Sequence, residues 1–345
     1  MSQPVVRARI VVEAEAAAVA LLAAMAAGSV LMIVVGASPL DVWRALAASA
    51  FGDAYGAGQV VFRATPLVLV GLAVSVPLRA GLFNIGGEGQ MIAGALCCAV
   101  LAAALPVGTP GLVALPLALA AAAAGGGAVG AATGALRAYR DAHEVIVAIL
   151  FNAIIGGVAL WLGNEWLFVG DATRTAAVVE GARFGELGIS GSNASTSVLV
   201  ALAAAAAVGW IQTRTTTGFR WRMVGSGPEA ARASGIVVAR ERLTAMTAAG
   251  ALAGLAGAHF VLGHKHVFED GLGRGQGFLG VAVALLAQGR AAAIIISAVV
   301  FGALAQGGMD VAELVPKELV DVLQGVVVLV AAATLGRSRT PGGVP

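Results

Sequence analysis

The sequence predicts an all-α membrane protein with about ten transmembrane helices, one of which is a candidate for a broken or re-entrant helix. Of its 345 residues, 59% are apolar and 12% are charged, and the mean hydropathy is +0.91. Soluble domains carry about 25% charged residues, so a chain with this little charge cannot keep a whole surface in water. Lipid is therefore the predicted solvent for most of the chain.

Apolar runs that meet or approach the roughly 20 residues of a spanning helix mark the predicted spans. A single transmembrane domain over residues 1–345 would contain spans at residues 10–37, 59–77, 81–105, 111–136, 144–168, 195–211, 243–263, 277–288, 291–308 and 319–335. The first run is too long for the apolar region of a signal peptide and is interpreted as a retained span. The eighth run is short and follows the glycine-rich stretch 271–277, which predicts a broken helix that lines a cavity inside the protein.

Loop charges predict the orientation of these spans. With the N-terminus inside, about two thirds of the 21 lysines and arginines fall in inner loops, which favours cytoplasmic termini. If the eighth run did not cross the membrane, Arg337 and Arg339 would lie outside. The same rule therefore favours a crossing by the eighth run.

Small residues recur at every fourth position in two of the predicted spans. Gly126, Gly130 and Gly134 do so in the fourth span, and Gly250 and Gly254 do so in the seventh. Such stripes let helix backbones approach each other closely. We interpret them as tight packing within one subunit.

Motifs for catalysis and for nucleotide binding are missing from the sequence. It contains no G-x-x-x-x-G-K-[ST], G-x-S-x-G, H-E-x-x-H or C-x-x-C, and its net charge of +2 comes with no basic stripe for nucleic acid. His264 and His266 stand near Glu269 and Asp270, but the spacing of a closed metal site is absent, and a solvated outer loop is the simpler interpretation. We therefore predict no catalytic residues, no metal and no cofactor bound by this chain.

The start of the third run, residues 81–91, combines three closely spaced glycines with a carboxylate. A charged side chain at the centre of the membrane costs about 2.5–3.5 kcal/mol, so Glu88 should face a cavity or a partner. Each glycine weakens a helix by about 1 kcal/mol relative to alanine and leaves backbone groups open to a ligand. The alternative is a glycine-packed helix start from which Glu88 reaches interfacial water. The candidate pathway residues here are Asn84, Gly86, Gly87, Glu88 and Gln90.

Two further spans carry polar or aromatic groups that could face the same pathway. Glu144 and Asn152 lie within about 80° of each other around the fifth span, and Asn152 is deep enough to need a hydrogen-bond partner. Gln276 and Phe278 lie at the start of the short eighth run, where the aromatic ring could stack on a solute. Asn152, Gln276 and Phe278 complete the set of candidate pathway residues.

The inner loop over residues 212–242 predicts a short helix at the cytoplasmic face. Pro228 suits a first helical turn, Glu229 suits its positive end, and Gly235 suits its termination. This helix could be a docking element for a partner, or the loop could be an ordinary positively charged inner loop. The candidate docking residues are Pro228, Glu229, Ala230, Ala231, Arg232 and Gly235.

A resemblance to a known family covers nearly the whole chain, from about residue 40 to 335. Residues 79–90, Arg-Ala-Gly-Leu-Phe-Asn-Ile-Gly-Gly-Glu-Gly-Gln, closely resemble the signature of permease subunits in bacterial ATP-binding-cassette (ABC) importers for nucleosides, a branch grouped with simple-sugar and branched-chain amino-acid permeases. Similar stretches occur at residues 63–67, 144–152, 225–236, 277–290 and 301–304. His143 and Ala291 depart from the family pattern, which commonly has Asn and Pro there.

The resemblance implies a transport subunit rather than an enzyme, of the larger of two permease types. Its implied partners are a cytoplasmic ATPase that uses the ATP, a second and different permease subunit, and an external solute-binding lipoprotein. The implied location is the bacterial inner membrane, and the implied cargo is a small polar solute, a nucleoside, moved by alternating access. The helix at Pro228–Gly235 would then be the coupling helix that seats in the ATPase.

Other functions fit the residues alone. The same machinery could move a simple sugar or another small polar metabolite. An ion-coupled secondary carrier could use Glu88 as its proton or sodium site, and a membrane scaffold would need no solute pathway.

Overall fold

The computed structural model describes residues 22–23, 25–170, 172–311, 322, 324–326 and 329, which are almost entirely helical. Within these residues only isolated β-bridges occur, at the ends of loops. The helices are α1 (Met25–Val34), α2 (Pro39–Phe51), α3 (Ala54–Arg79), α4 (Gly87–Ala104), α5 (Gly111–Arg140), α6 (Glu144–Leu162), α7 (Ser197–Arg214), α8 (Thr216–Ser226), α9 (Pro228–Ala233), α10 (Val238–Phe260), α11 (Gln276–Leu286) and α12 (Ala291–Asp310). Short π-helical turns extend α6 over Gly163–Leu167 and α10 over Val261–Lys265. The predicted fold class, an all-α membrane bundle, is confirmed.

The number of spans is smaller than the predicted ten. In the described part of the chain, seven helices are long and apolar enough to cross a membrane: α3, α4, α5, α6, α7, α10 and α12. The described part of the first predicted run is α1, and α2 follows it in a stretch where no span was predicted; the two helices are bent by 120° at a short break and together would add one broken span. The start of that run, most of the tenth run, and both termini lie outside the described residues.

α3 is the central helix of the bundle. Asp53 caps its start by accepting a hydrogen bond from the Gly56 N–H at 2.6 Å, and the helix continues through two internal prolines. Prolines are tolerated in membrane helices because neighbouring helices and side chains satisfy the freed backbone groups. Most of the length of α3 is buried against α10, α11 and α12, and its fully buried side chains include Leu67, Leu69 and Leu72. The pathway elements described below pack around this helix.

Glycines bring α4, α5 and α10 into backbone contact, as the repeats predict. A β-carbon added at Gly94 would lie 2.7 Å from the Gly254 carbonyl oxygen, and one added at Gly130 would lie 3.0 Å from the Gly250 α-carbon. Real β-carbons essentially never approach another heavy atom more closely than 3.0 Å, so a side chain at Gly94 would force the backbone to shift. These three helices therefore form one tightly packed unit within the subunit.

The eighth predicted run is α11, which is too short to cross a membrane alone. Gly280 of α11 faces the middle of α3, since a β-carbon added there would collide with Val70. The turn that follows α11 lies near the end of α3. There the Gly289 carbonyl oxygen accepts hydrogen bonds from Ser75 at 2.7 Å and Arg79 at 3.3 Å. After α10, the chain therefore returns to the end of the bundle at which α10 begins. The first part of this return is the loop before Gln276, and the second part is the helix α11.

That end of the bundle carries Arg79, Arg214 and Arg290, and the loop charges predict that it is cytoplasmic. It is called the inner end here. The predicted short helix of the inner loop is present as α9, which has Pro228 in its first turn and ends before Gly235, whose φ of +79° is a left-handed value that glycine adopts freely.

Replacing Gly250 by alanine should lower the thermal stability of the detergent-solubilised protein. Alanine normally strengthens a helix, but here its methyl group collides with the Gly126 carbonyl oxygen, and overpacking of this kind costs about 1–3 kcal/mol. The matched control is Gly157→Ala on α6, where an added β-carbon meets nothing within 4 Å. Equal melting temperatures for the two variants would contradict the tight packing.

Candidate functional site

The chain between α3 and α4 is not helical, although the third predicted span begins at residue 81. α3 ends at Arg79, Gly81 adopts a left-handed φ of +72°, and α4 starts only at Gly87. The Leu82 N–H returns to the Pro77 carbonyl oxygen at 3.0 Å, and the following residues run back into the bundle. Because Gly87 packs beside Val70, near the middle of α3, α4 begins deep inside the bundle.

Asn84 and Gln90 hold this segment in place through a reciprocal amide pair. Asn84 Nδ2 donates to Gln90 Oε1 at 2.9 Å, and Gln90 Nε2 donates to Asn84 Oδ1 at 3.1 Å. Asn84 also donates to the Ala73 carbonyl oxygen of α3 at 3.2 Å and accepts from the Gly86 N–H at 3.0 Å. Both side chains are fully buried. Every polar atom of the two amides therefore has a partner within the fold.

Asn152 attaches α6 to the same segment. Its Oδ1 accepts from the Gly89 N–H at 2.8 Å, and its Nδ2 donates to the Ile85 carbonyl oxygen at 3.0 Å. These are the partners that its depth in the fifth predicted span requires. Glu144, the other polar group of that span, lies at the inner end and pairs with Arg137 at 3.2 Å.

Glu88 is bound by the start of α11. Its Oε1 accepts from the Gly275 N–H at 2.8 Å, and its Oε2 accepts from the Gly277 N–H at 2.9 Å. Charge-assisted hydrogen bonds are about twice as strong as neutral ones, and the positive end of a helix dipole favours a carboxylate. A side chain at Gly277 would collide with the Glu88 backbone, so glycine is needed for this approach. The partner of the membrane carboxylate is thus a backbone distant in the sequence.

A cavity of about 290 Å³ opens beside Glu88 on the outer side of its contact with α11. Gly156, Gly157 and Leu160 of α6 form one wall, and the loop over residues 268–274 forms another. Pockets for small organic ligands begin at about 300 Å³, so the space suits a solute of modest size. Glu88 lines this cavity, and its bonds to Gly275 and Gly277 join α4 to α11 beside it.

The loop above the cavity carries charges that the motif analysis did not assign to the pathway. Glu269 and Asp270 line the cavity together with Arg274; Lys265 pairs with Glu269 at 2.9 Å and Arg274 with Asp270 at 3.7 Å. The sequence presented both acidic residues only as possible metal ligands. The sequence did contain an indication that this loop reaches into the bundle, because the apolar run that follows the loop is too short for a complete span.

The remaining candidate pathway residues lie at the start of α11. Gln276 lies between the two residues whose N–H groups bind Glu88, and its buried Oε1 meets no hydrogen-bond donor among the described residues. Phe278 is more than half exposed and contributes no surface to the cavity. Of the candidates, Glu88 therefore lines the cavity, while Asn84, Gln90 and Asn152 hold the backbone around it.

The two histidines of the outer turn do not converge on a common centre. The His264 ring packs against the Phe62 ring, with centroids 5.0 Å apart. Partial burial, aided by the nearby Arg183, lowers the pKa of His266. The described residues contain no group of three or more metal-ligating side chains.

At the inner end, α9 presents an exposed surface. Glu229 and Arg232 form an ion pair there and are both largely solvent-accessible, while Ala231 is buried against Val224 of α8 and Val238 of α10. The exposed side of α9 is the part of the predicted docking segment that a partner could contact.

Comparison with known proteins identifies the chain's relatives. Residues 56–332 match the family described as the permease component of branched-chain amino acid transport systems. The chain is 36% identical to the guanosine ABC transporter permease protein NupP of Bacillus subtilis over 92% of each chain. It is 32% identical to the glucose ABC transporter permease protein TsgB13 of Haloferax volcanii, over 89% of this chain and 84% of that protein. It is 29% identical to the nucleoside ABC transporter permease protein NupB of Lactococcus lactis, over 88% and 86%.

Replacing either Asn84 or Gln90 by alanine should destabilise the protein, because each substitution leaves a buried amide without its partner. Loss of one partner of a buried hydrogen bond costs about 1–3 kcal/mol. The double variant should cost less than the sum of the single variants, since it removes both members of one interaction. Thermal unfolding in detergent measures all three, and strictly additive effects would contradict the reciprocal pair.

Proposed function

Since this chain belongs to the family of permease components of branched-chain amino acid transport systems, we propose that it moves nucleosides across the membrane as the permease subunit of an ABC importer. It is a multi-pass membrane protein and a transport component, and a permease of this family works with a separate ATPase and a solute-binding protein. The observation that carries the proposed pathway is the cavity that ends on Glu88 at the start of α11.

The choice of a nucleoside is supported by two relatives whose names specify guanosine or nucleosides. A simple sugar is the second candidate, supported by the relative named for glucose. Both solutes offer several hydroxyl donors, and the carboxylates of Glu88, Glu269 and Asp270 are acceptors for them. The cavity chemistry is thus common to the two candidates.

The alternative of an ion-coupled carrier is not supported. The three relatives described above are named as ABC transporter permeases, and the matched family is described as a permease component of a transport system.

A second permease subunit is expected on the α6 side of the cavity. The apolar window of α6 is only 11% buried within the described chain, compared with 83% for α3. The cavity that α6 borders contains carboxylates, and carboxylates facing lipid are costly. A partner subunit that covers this side would enclose the polar cavity between two proteins, whereas lipid would not.

The proposed mechanism is alternating access with the α4–α11 contact as the inner closure. Asn84, Gln90 and Asn152 keep the backbone of residues 84–90 in shape, and Glu88 binds α11 to it. ATP-driven movement of the coupling segment at Pro228–Gly235 changes the separation of α4 and α11, and hydrolysis resets it. A solute then competes with the Gly275 and Gly277 N–H groups for the Glu88 carboxylate.

Replacing Glu88 by alanine should reduce nucleoside uptake about tenfold or more, because it removes two charge-assisted hydrogen bonds that close the path. Uptake of labelled guanosine by cells that lack other nucleoside importers measures the effect. Glu165→Ala, which removes an exposed carboxylate outside the cavity, is the matched control and should keep normal uptake. Normal uptake by the Glu88 variant at equal expression would remove this residue from the pathway.

Competition distinguishes the two candidate solutes. Excess unlabelled nucleosides should abolish guanosine uptake by the complete importer, whereas excess glucose or ribose should leave it unchanged. The reason is that the proposed importer accepts the base together with its sugar. Uptake of labelled glucose, without any uptake of nucleosides, would replace the proposed solute by a sugar.

A further inference from the structure

At the inner end, α8 contacts the turn that leads into α4, and a chain of hydrogen bonds through Gln212 and Ser75 links it to the turn that follows α11. We propose that α8 transmits movement of the docking helix α9 to both sides of the α4–α11 contact, and that Gly81 and Gly225 form the joint on the α4 side. This inference rests on the proposed function. It identifies residues beyond α9 that position the solute pathway without touching the solute.

The first contact joins two backbones. Gly225 lies near the end of α8, and Gly81 lies in the turn that leads from α3 to the segment of Asn84. A β-carbon at Gly81 would lie 3.2 Å from the Gly225 α-carbon, and one at Gly225 would lie 2.9 Å from the Gly81 nitrogen and collide with the Arg79 carbonyl oxygen. Because no side chain separates the two backbones, displacement of α8 acts on this turn directly.

Hydrogen bonds hold the chain between Gly81 and Glu88 in a fixed shape, so that a displacement of Gly81 also displaces Glu88. Leu82 is buried and its N–H is bonded to the Pro77 carbonyl oxygen at 3.0 Å. Asn84 is bonded to Gln90 on the first turn of α4 and to Ala73 of α3. A segment with these internal bonds transmits a shift at its start to Glu88, whereas a flexible loop would absorb it.

The second contact leads from α8 to the inner end of α11 through buried polar groups. Arg222 of α8 donates to the Gln212 carbonyl oxygen at the end of α7. Gln212 Nε2 donates to Ser75 Oγ at 3.1 Å, and Ser75 Oγ donates to the Gly289 carbonyl oxygen at 2.7 Å. Ser75 and Gln212 are both buried, so water does not compete for these bonds. Gly289 follows α11, whose other end is held by Glu88.

α8 and α9 are packed so that they move as one body. Val224 of α8, Ala231 of α9 and Val238 of α10 form a small buried cluster, with Met223 and Ile236 against it. Force applied to the exposed side of α9 therefore reaches α8 through packed side chains. From α8 the force reaches α4 through the contact between Gly81 and Gly225. It reaches α11 through the hydrogen bonds of Ser75 to Gln212 and Gly289. The contact between Glu88 and α11 lies where these two routes meet.

The test uses the complete importer in liposomes, comprising this chain, its ATPase, the second permease and the solute-binding protein. The readout is the number of solute molecules moved per ATP hydrolysed, which loss of folded protein alone does not change. Gly225→Ala should lower this ratio about tenfold while the ATPase still co-purifies and still hydrolyses ATP. Alanine favours the helical conformation of α8, so a weakened helix would not explain the loss.

Gly227→Ala is the matched control. Gly227 lies in the same connection between α8 and α9, its backbone is extended with φ of −179°, and an added β-carbon meets only the Ala230 β-carbon at 3.8 Å. This variant should keep the normal ratio. The second route is tested by Ser75→Ala, which removes the bridging hydroxyl and should lower the ratio several-fold.

An assembled Gly225→Ala importer with a normal ratio would overturn the joint. Hydrolysis and uptake that fall in proportion would also overturn it, since they would indicate a purely structural role. If Gly225→Ala does not assemble, a normal ratio in Ser75→Ala overturns the proposal and a lowered ratio supports it. Failure of the proposed function has a different signature: the unaltered importer would hydrolyse ATP without moving nucleosides, and the ratio for glucose would then test the joint.

Discussion

A carboxylate in the interior of a membrane bundle has to be bound by something other than water, and the architecture around Glu88 follows from that requirement. Its oxygens accept the N–H groups of Gly275 and Gly277, which are free because they stand at the start of a helix. A helix can start there only if the preceding chain reaches the middle of the bundle as a loop. The alternating left-handed glycines at 271, 273 and 275 allow this path.

The same constraint acts on the other side of the contact. Glu88 reaches α11 because α4 also begins inside the bundle, after a non-helical segment whose backbone groups need partners. Asn84 and Asn152 supply those partners by bonding to the backbone of Gly86, Gly89 and Ile85, and the Gln90 amide holds Asn84 in place. Two interrupted helices thus meet at their N-terminal ends, and the polar groups that interruption exposes are satisfied within the protein.

Rigid and adjustable regions of the bundle are separated. α4, α5 and α10 are in backbone contact through glycines, which leaves little room for them to slide independently. Glu88, at the start of α4, is joined to α11 by two hydrogen bonds, and hydrogen bonds can exchange partners. A transporter needs both properties, since a fixed frame gives the moving half-helix something to move against. The proposed second permease subunit would complete this frame on the exposed α6 side of the cavity.

The sequence alone determined that this is a helical membrane protein, where most of its spans lie, and that Glu88 and Asn152 need partners, and it left residues 277–288 open between a broken helix and a complete span. These conclusions follow from local composition, because hydrophobic length and the cost of a buried charge are properties of a few consecutive residues. Residues 81–86 were assigned to a helix that in fact starts at Gly87, because local apolarity does not register the Asn84–Gln90 pair that favours the extended path. Only the tertiary structure decided that Glu88 binds the start of α11, that Glu269 and Asp270 border its cavity, and that Gly81 meets Gly225. Those contacts join groups that are far apart in the chain. Every residue except proline carries the same backbone N–H, so the sequence does not indicate which distant N–H will bind a given side chain.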